Sequence, residues 1–141
     1  MGYYVSLDEA DWLIPTKKIG AAYKAMCDLN SCDQLKSGGS YSGGKQTNKW
    51  FSWMDENYPE TCTDAEAVLQ ALGFDTEVTY EGLRIESYDN KAGDEDRFIA
   101  AIAPFSREGS FLVWRGEDGH LWRNEVKNGI VETQTAKITW Q

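Results

Sequence analysis

The 141-residue chain has one histidine, three cysteines and few basic residues, and each scarcity narrows what it can be. With His120 as the only imidazole, a structural zinc site lacks its usual four Cys or His ligands, so Cys27 and Cys32 are expected to be ordinary thiols. The odd count of Cys27, Cys32 and Cys62 excludes a complete disulfide framework and points to a reduced, cytoplasmic setting. No apolar leader is visible, and no apolar run approaches the ~18 residues that crossing a bilayer requires, so no membrane partner is expected. Fourteen Lys and Arg stand against twenty-three Asp and Glu, a net charge of −9. That field repels phosphate backbones and anionic lipid, which disfavours nonspecific nucleic-acid binding and leaves a basic protein partner or a small local pocket.

Apolar material is plentiful. The chain is 41% hydrophobic and 13% aromatic, enough to offset the ordering entropy of a folded domain. At this length about two thirds of the surface exposed by the unfolded chain can be buried, so one domain over residues 1–141 is expected. Met1–Ser6 formally matches a myristoylation pattern, yet Tyr3–Tyr4–Val5 reads better as the start of a strand and nothing polybasic follows.

Periodicity gives the order of elements. Tyr3–Leu7 reads as strand one, closed by the acidic run Asp8–Asp11. Pro15 opens a helix to about Leu29 whose stripe is Ile19, Ala22, Tyr23 and Met26. Residues 37–45, almost all Gly and Ser, read as a flexible loop, after which Trp50, Phe51 and Trp53 re-anchor the chain. Thr63 with Glu66 forms a capping-box signature ahead of Ala65, Val68, Leu69 and Leu72, and Gly73 closes that helix. Phe74–Tyr80 and Leu83–Tyr88 read as a hairpin. Asp94 caps a further helix with Phe98, Ala101, Ile102 and Phe105 on one face, ending before Pro104. Ser110–Arg115, His120–Val126 and Ile130–Trp140 form a three-stranded meander with Asn128–Gly129 as its second turn. The resulting class is α+β: a mostly antiparallel sheet packed with about three helices.

Four features bear on chemistry. Gly39–Lys45 satisfies the G-x-x-x-x-G-K part of a phosphate loop, but Gln46 stands where Ser or Thr would hold magnesium, and no buried strand precedes it. His120, beside Glu117 and Asp118, is a weak candidate general base. Adjacent acids such as Asp55–Glu56 read as solvated surface. Strand alternation puts Arg115 and Arg123 on the face opposite Trp114 and Trp122. With Arg84 and His120 they form a candidate anion site, on which Tyr41, Trp50 or Trp53 can stack a base. Against that site stands the plainer reading: the tryptophans are core, and the arginines pair with Glu117, Asp118 or Glu125.

The run GSFLVWRGEDGHLWR from Gly109 to Arg123 and the Lys137–Ile138–Thr139–Trp140 ending, with the Tyr3–Tyr4–Val5 opening and the Phe98–Phe105 helix, resemble small accessory proteins of bacteria and their phages. The resemblance carries no site residue across. It implies a class in which inhibitors of host defence and nucleotide-sequestering proteins are common. The leading expectation is therefore an inhibitor that binds a host macromolecule directly in the host cytoplasm. The alternatives are a protein sequestering a nucleotide or other small anionic ligand, and a small hydrolase using His120. No cofactor and no metal is expected.

Overall fold

The strand that opens the chain runs through its acidic stretch instead of stopping at it. The computed structural model describes residues 2–137, 139 and 140, with the side chains of residues 40–42 and 45–47 outside that description. In chain order the strands are β1 (Tyr4–Pro15), β2 (Gly38–Ser42), β3 (Lys45–Trp50), β4 (Phe74–Thr79), β5 (Gly82–Lys91), β6 (Phe111–Gly116), β7 (Leu121–Lys127) and β8 (Ile130–Thr135). The helices are α1 (Ile19–Asp28), α2 (Tyr58–Thr61), α3 (Ala65–Leu72) and α4 (Glu95–Ile102). Six strands form one antiparallel sheet in the order β4-β5-β1-β6-β7-β8, and β2 pairs with β3 alone. This is the α+β class, and β6–β8 form the expected meander.

β1 accommodates Asp8–Asp11 because its register shifts on both sides, between Leu7 and Glu9 against β6 and between Ser6 and Trp12 against β5. Such bulges re-aim side chains. Here Asp8 and Asp11 meet arginines on the outer face, while Trp12 and Ile14 enter the core beyond them.

The Gly/Ser segment, expected as a loop, forms the β2–β3 hairpin. Gly43 and Gly44 have φ of 60° and 78°, the two positive values that a tight two-residue turn needs. A Cβ at Gly38 would run into the Trp50 indole, so this glycine lets the ring lie flat on the partner strand. The cap of α3 is one residue later than expected: Asp64, not Thr63, accepts the Ala67 N–H at 2.7 Å. Gly73 then ends α3 in the left-handed conformation as expected. Asp94 precedes α4 but makes no cap bond; its Oδ2 accepts the amides and hydroxyls of Ser37 and Ser52 at 2.7–3.2 Å, tying the base of the β2–β3 hairpin to α4. β8 ends at Thr135, short of the expected Trp140, although the Ala136 N–H still reaches the Leu121 carbonyl at 3.4 Å. Asn128 and Gly129 have φ of 54° and 75°, as a turn of this kind requires.

α1, α3 and α4 cover one face of the sheet. Leu83, Ile85, Leu112 and Trp114 come up from the strands to meet Met26, Leu69, Phe98 and Ile102 from the helices. Phe51, Tyr58 and Phe98 pack edge-on with centroids 4.9–6.2 Å apart, so the re-anchoring expected of the Trp50–Trp53 cluster falls to the ring of Phe51. Trp114 is 1% exposed and donates its indole N–H to Asn124 Oδ1 at 2.7 Å. Among the described residues, the helices α1, α3 and α4 lie on that face and not on the opposite one. It is there that the charged residues of the strands gather.

Candidate functional site

Strand alternation does place Arg84, Arg115 and Arg123 outward, opposite the buried Ile85 and Trp114. Each is already engaged. Arg115 forks onto Asp8, with Nε 3.0 Å from both oxygens and Nη2 2.7 Å from Oδ2. Arg84 and Arg107 share Asp11 Oδ1 at 2.8 and 2.9 Å. Arg123 donates to Gln134 at 2.6 Å, lies 3.8 Å from Glu125 and covers the Phe111 ring at 5.9 Å. Glu125 was an expected partner. Asp8 and Asp11 were not, since they come from a strand whose extent the sequence understates. The hydrogen bond from Arg115 holds the Asp8 carboxyl below its usual range, and those from Arg107 and Arg84 do the same for Asp11. A phosphate at Arg84 or Arg115 would first have to displace a carboxylate, which at Arg115 is bound in fork geometry.

The turn after Trp114 is a clasp for the N-terminal segment. Tyr3 donates its hydroxyl to Asp118 Oδ1 at 2.5 Å, and the Tyr4 N–H donates to Glu117 Oε1 at 3.0 Å. The hydrogen bond to Asp118 pushes the Tyr3 phenol up to about 12. Asp118 also accepts the main-chain N–H of His120 at 3.1 Å, so it does not orient the imidazole. That ring stacks on Trp122 at 5.3 Å, and Trp122 stacks on Trp114 at 6.3 Å. His120 is therefore positioned by aromatic packing, not by the carboxylate a general base would need.

Trp50 and Trp53 lie with the helical layer, away from the outward arginines. Trp50 packs over Gly38, and Trp53 donates its indole N–H to the Leu72 carbonyl at 2.8 Å. Trp53 has a positive φ of 44°, uncommon for so bulky a residue. The Tyr41 side chain lies outside the described residues. Among the described residues the arginines and the two tryptophans thus share no partner.

Two surfaces that the sequence reading passed over are better formed. The first is a groove of about 670 Å³ between Leu29 and Leu35 on one side and α4 on the other. Ala100 and Ala101 contribute apolar lining, and Asp94, Asp96 and Arg97 contribute charge. Burial raises the Asp96 carboxyl above its usual range. Two carboxylates against one guanidinium make this groove unsuited to an anion.

The second is the tip of the β4–β5 hairpin, at the edge of the sheet. Tyr80 is 95% exposed and Val78 60% exposed. Glu77 and Glu81 flank them with no ion-pair partner among the described residues. The tip is held firmly: Thr79 Oγ1 accepts the Glu81 N–H at 3.2 Å, and the Glu81 carbonyl accepts the Thr16 N–H at 3.2 Å. Gly82, at φ 147°, lies so close to the Ile14 carbonyl that no Cβ fits. Tyr80 reads in the sequence as the last residue of a strand, before a turn at Glu81–Gly82; in the structure that strand ends at Thr79 and Tyr80 stands on the turn itself.

Among the described residues no group of three or more His, Cys, Asp or Glu is arranged to hold a metal ion, and no helix is long and apolar enough to cross a membrane. Comparison of the chain with protein-family models, with curated proteins and with solved structures finds no match in any of the three.

Proposed function

We propose that this chain is an acidic binding protein that acts on a macromolecule by direct contact, as a phage-type accessory protein that inhibits a component of host defence. The observation that carries the reading is the Tyr80 tip: a rigid turn presenting an almost fully exposed tyrosine beside exposed Val78, with Glu77 and Glu81 around them. Tyrosine is enriched among residues that dominate binding energy, because it offers a large amphipathic surface with little rotamer entropy to lose. The net charge of −9 steers such a protein toward a basic patch and raises the encounter rate.

Affinity capture from a bacterial lysate tests it, with the wild-type chain compared against Tyr80→Ala and Glu77→Lys/Glu81→Lys. A partner held by the wild type and lost by both variants supports the reading. Equal retention by all three removes the tip from it. Tight, saturable binding of a nucleotide to the wild type would overturn a purely protein-directed role.

A second reading, a small-ligand carrier, rests on the groove along α4. Its charge favours an amine or a zwitterion over a nucleotide. Isothermal titration with a panel of both kinds separates the two.

A further inference from the structure

The six-stranded sheet ends in two edges, and they are built differently. At one, β4 carries the exposed acids Asp75 and Glu77, and a register shift between Asp75 and Thr76 interrupts its ladder. α3 is tied to the same strand: Thr76 Oγ1 donates to Glu66 at 2.8 Å and accepts from Gln70 at 3.1 Å. Charge and a bulge are what keep an edge strand from pairing further. At the other edge, β8 runs Ile-Val-Glu-Thr-Gln-Thr, with no proline and no lysine, and pairs with β7 without a shift. Ile130, Val131, Thr133 and Thr135 are β-branched, the side chains that favour strands. Its one charge, Glu132, is already met within the chain by Lys127 at 3.2 Å and Gln134 at 2.8 Å.

The ladder fixes which main-chain groups of β8 face out of the sheet. In β7 the Val126 N–H donates to the Ser110 carbonyl at 2.8 Å and its carbonyl accepts the Gly109 N–H at 2.9 Å, so Val126 turns away from β8. The Leu121 carbonyl accepts the Ala136 N–H at 3.4 Å, so Leu121 turns toward it. Alternation between these two points bonds Ile130, Glu132 and Gln134 to β7 and aims the N–H and C=O of Val131, Thr133 and Thr135 outward. Among the described residues no other segment's main chain bonds those groups. The side chains along this edge are also open: Thr133 and Thr135 are exposed, and Ile130 is 70% exposed.

We propose that β8 is a dimer interface, at which a second copy of this chain pairs antiparallel about a two-fold axis through Thr133 and joins the two sheets into one. In this register Val131 lies opposite Thr135 of the second copy and Thr133 opposite Thr133, so every outward N–H and C=O finds a partner. Glu132 falls opposite Gln134, the side chain that already donates to it within one chain, and Ile130 falls opposite Ala136, which covers part of its exposed surface. A slide of one residue would set outward groups against inward ones. A slide of two, to Glu132 opposite Glu132, would oppose like charges and leave Thr135 facing the turn at Gly129. The seam suits a copy of itself better than a basic strand, because its only carboxylate is already paired. An isologous contact uses up both β8 edges and leaves the interrupted, acidic β4 edges outside, so assembly stops at two. The inference does not rest on the Tyr80 tip, but it places two such tips at the far ends of one sheet, where they can engage a partner bivalently.

Sedimentation velocity on the full chain across a concentration series should give twice the chain mass, with amide hydrogen exchange at Val131, Thr133 and Thr135 slowing as the dimer fills. Because each copy carries a charge of −9, added salt should tighten the association by screening the repulsion between them. Thr135→Pro removes an N–H that no main-chain bond within the chain uses, and Thr133→Lys sets two like charges face to face at the axis. Each should weaken dimerisation by about tenfold or more with an unchanged far-UV circular dichroism spectrum, whereas Tyr80→Ala should leave the dimer as it is. A chain that stays monomeric at millimolar concentration overturns the proposal, as does a dimer in which those three amides exchange no more slowly than in the monomer. Association that weakens with salt overturns it too, and so does a monomeric chain whose β8 amides are protected only by a captured foreign protein. The wild-type mass and exchange pattern decide even if a variant fails to fold.

Discussion

Tyr3 donates its hydroxyl to Asp118 Oδ1 at 2.5 Å, across 115 positions of sequence. The bond closes the β6–β7 turn against the entry to β1, and it works on both partners in opposite directions. It raises the phenol from 10.0 to about 12, and it lowers the Asp118 carboxyl from 3.8. A raised tyrosine stabilises the fold fully below pH 10 and loses that contribution as pH climbs toward 12. A lowered aspartate stabilises above its unfolded value and loses the contribution as pH falls below about 4. Tyr3→Phe should therefore lower the thermal midpoint across the range between these limits, with the difference from wild type shrinking at both ends. Thermal melts at a series of pH values check it; a difference independent of pH would show that the hydrogen bond is not its source.

α3 separates a cap from its lookalike. Thr63 and Glu66 give the capping-box spacing, but Asp64 supplies the acceptor for the Ala67 N–H. Asp64→Ala should cost about 1 kcal/mol in urea unfolding, whereas Thr63→Ala should fall within about 0.5 kcal/mol of wild type.

The same helix shows what was legible in the sequence. Residue periodicity named Ala65, Val68, Leu69 and Leu72, and all four are buried. The meander and the β4–β5 hairpin were legible for the same reason, since alternation and turn residues are local signals. The length of β1 was not. Asp8–Asp11 reads as a strand terminator until Arg84, Arg107 and Arg115 arrive from elsewhere in the chain to pair with it. The partners of the candidate arginines were hidden for the same reason, because a guanidinium's availability depends on a carboxylate more than a hundred positions away for Arg115.

Glycine in residues 37–45 was read as freedom, where it supplies a turn and a close approach. Gly43→Ala and Gly44→Ala each place a side chain at positive φ, and each should cost about 1 kcal/mol. Gly38→Ala should instead displace the Trp50 indole, seen as a shifted tryptophan emission. Unchanged emission would mean that the ring does not rest on this glycine.

The pairing of the outward arginines leads to a further outcome. Asp8→Asn with Asp11→Asn removes two negative charges, leaving Arg107 and Arg115 without the aspartates they pair with and Arg84 with only Glu86, 4.0 Å away. The double variant should bind a heparin column and elute with modest salt, while the wild type passes through. If wild type and variant behave alike, the carboxylates do not mask the arginines.

Tyr80 separates binding from stability. At 95% exposure its ring contributes almost nothing to the core, so Tyr80→Ala should leave the unfolding free energy within about 0.5 kcal/mol of wild type. If the hairpin tip is the anchor of a protein interface, the same change should weaken binding by about 2 kcal/mol, roughly thirtyfold. That loss should lie in faster dissociation, since a buried anchor governs how long the complex lasts. Glu77→Lys/Glu81→Lys should act mainly on association and should lose its effect as salt is raised, because long-range attraction is what it removes. Surface plasmon resonance against the captured partner, at two ionic strengths, reads all of these at once. A Tyr80→Ala variant that dissociates at the wild-type rate would move the interface elsewhere on the molecule.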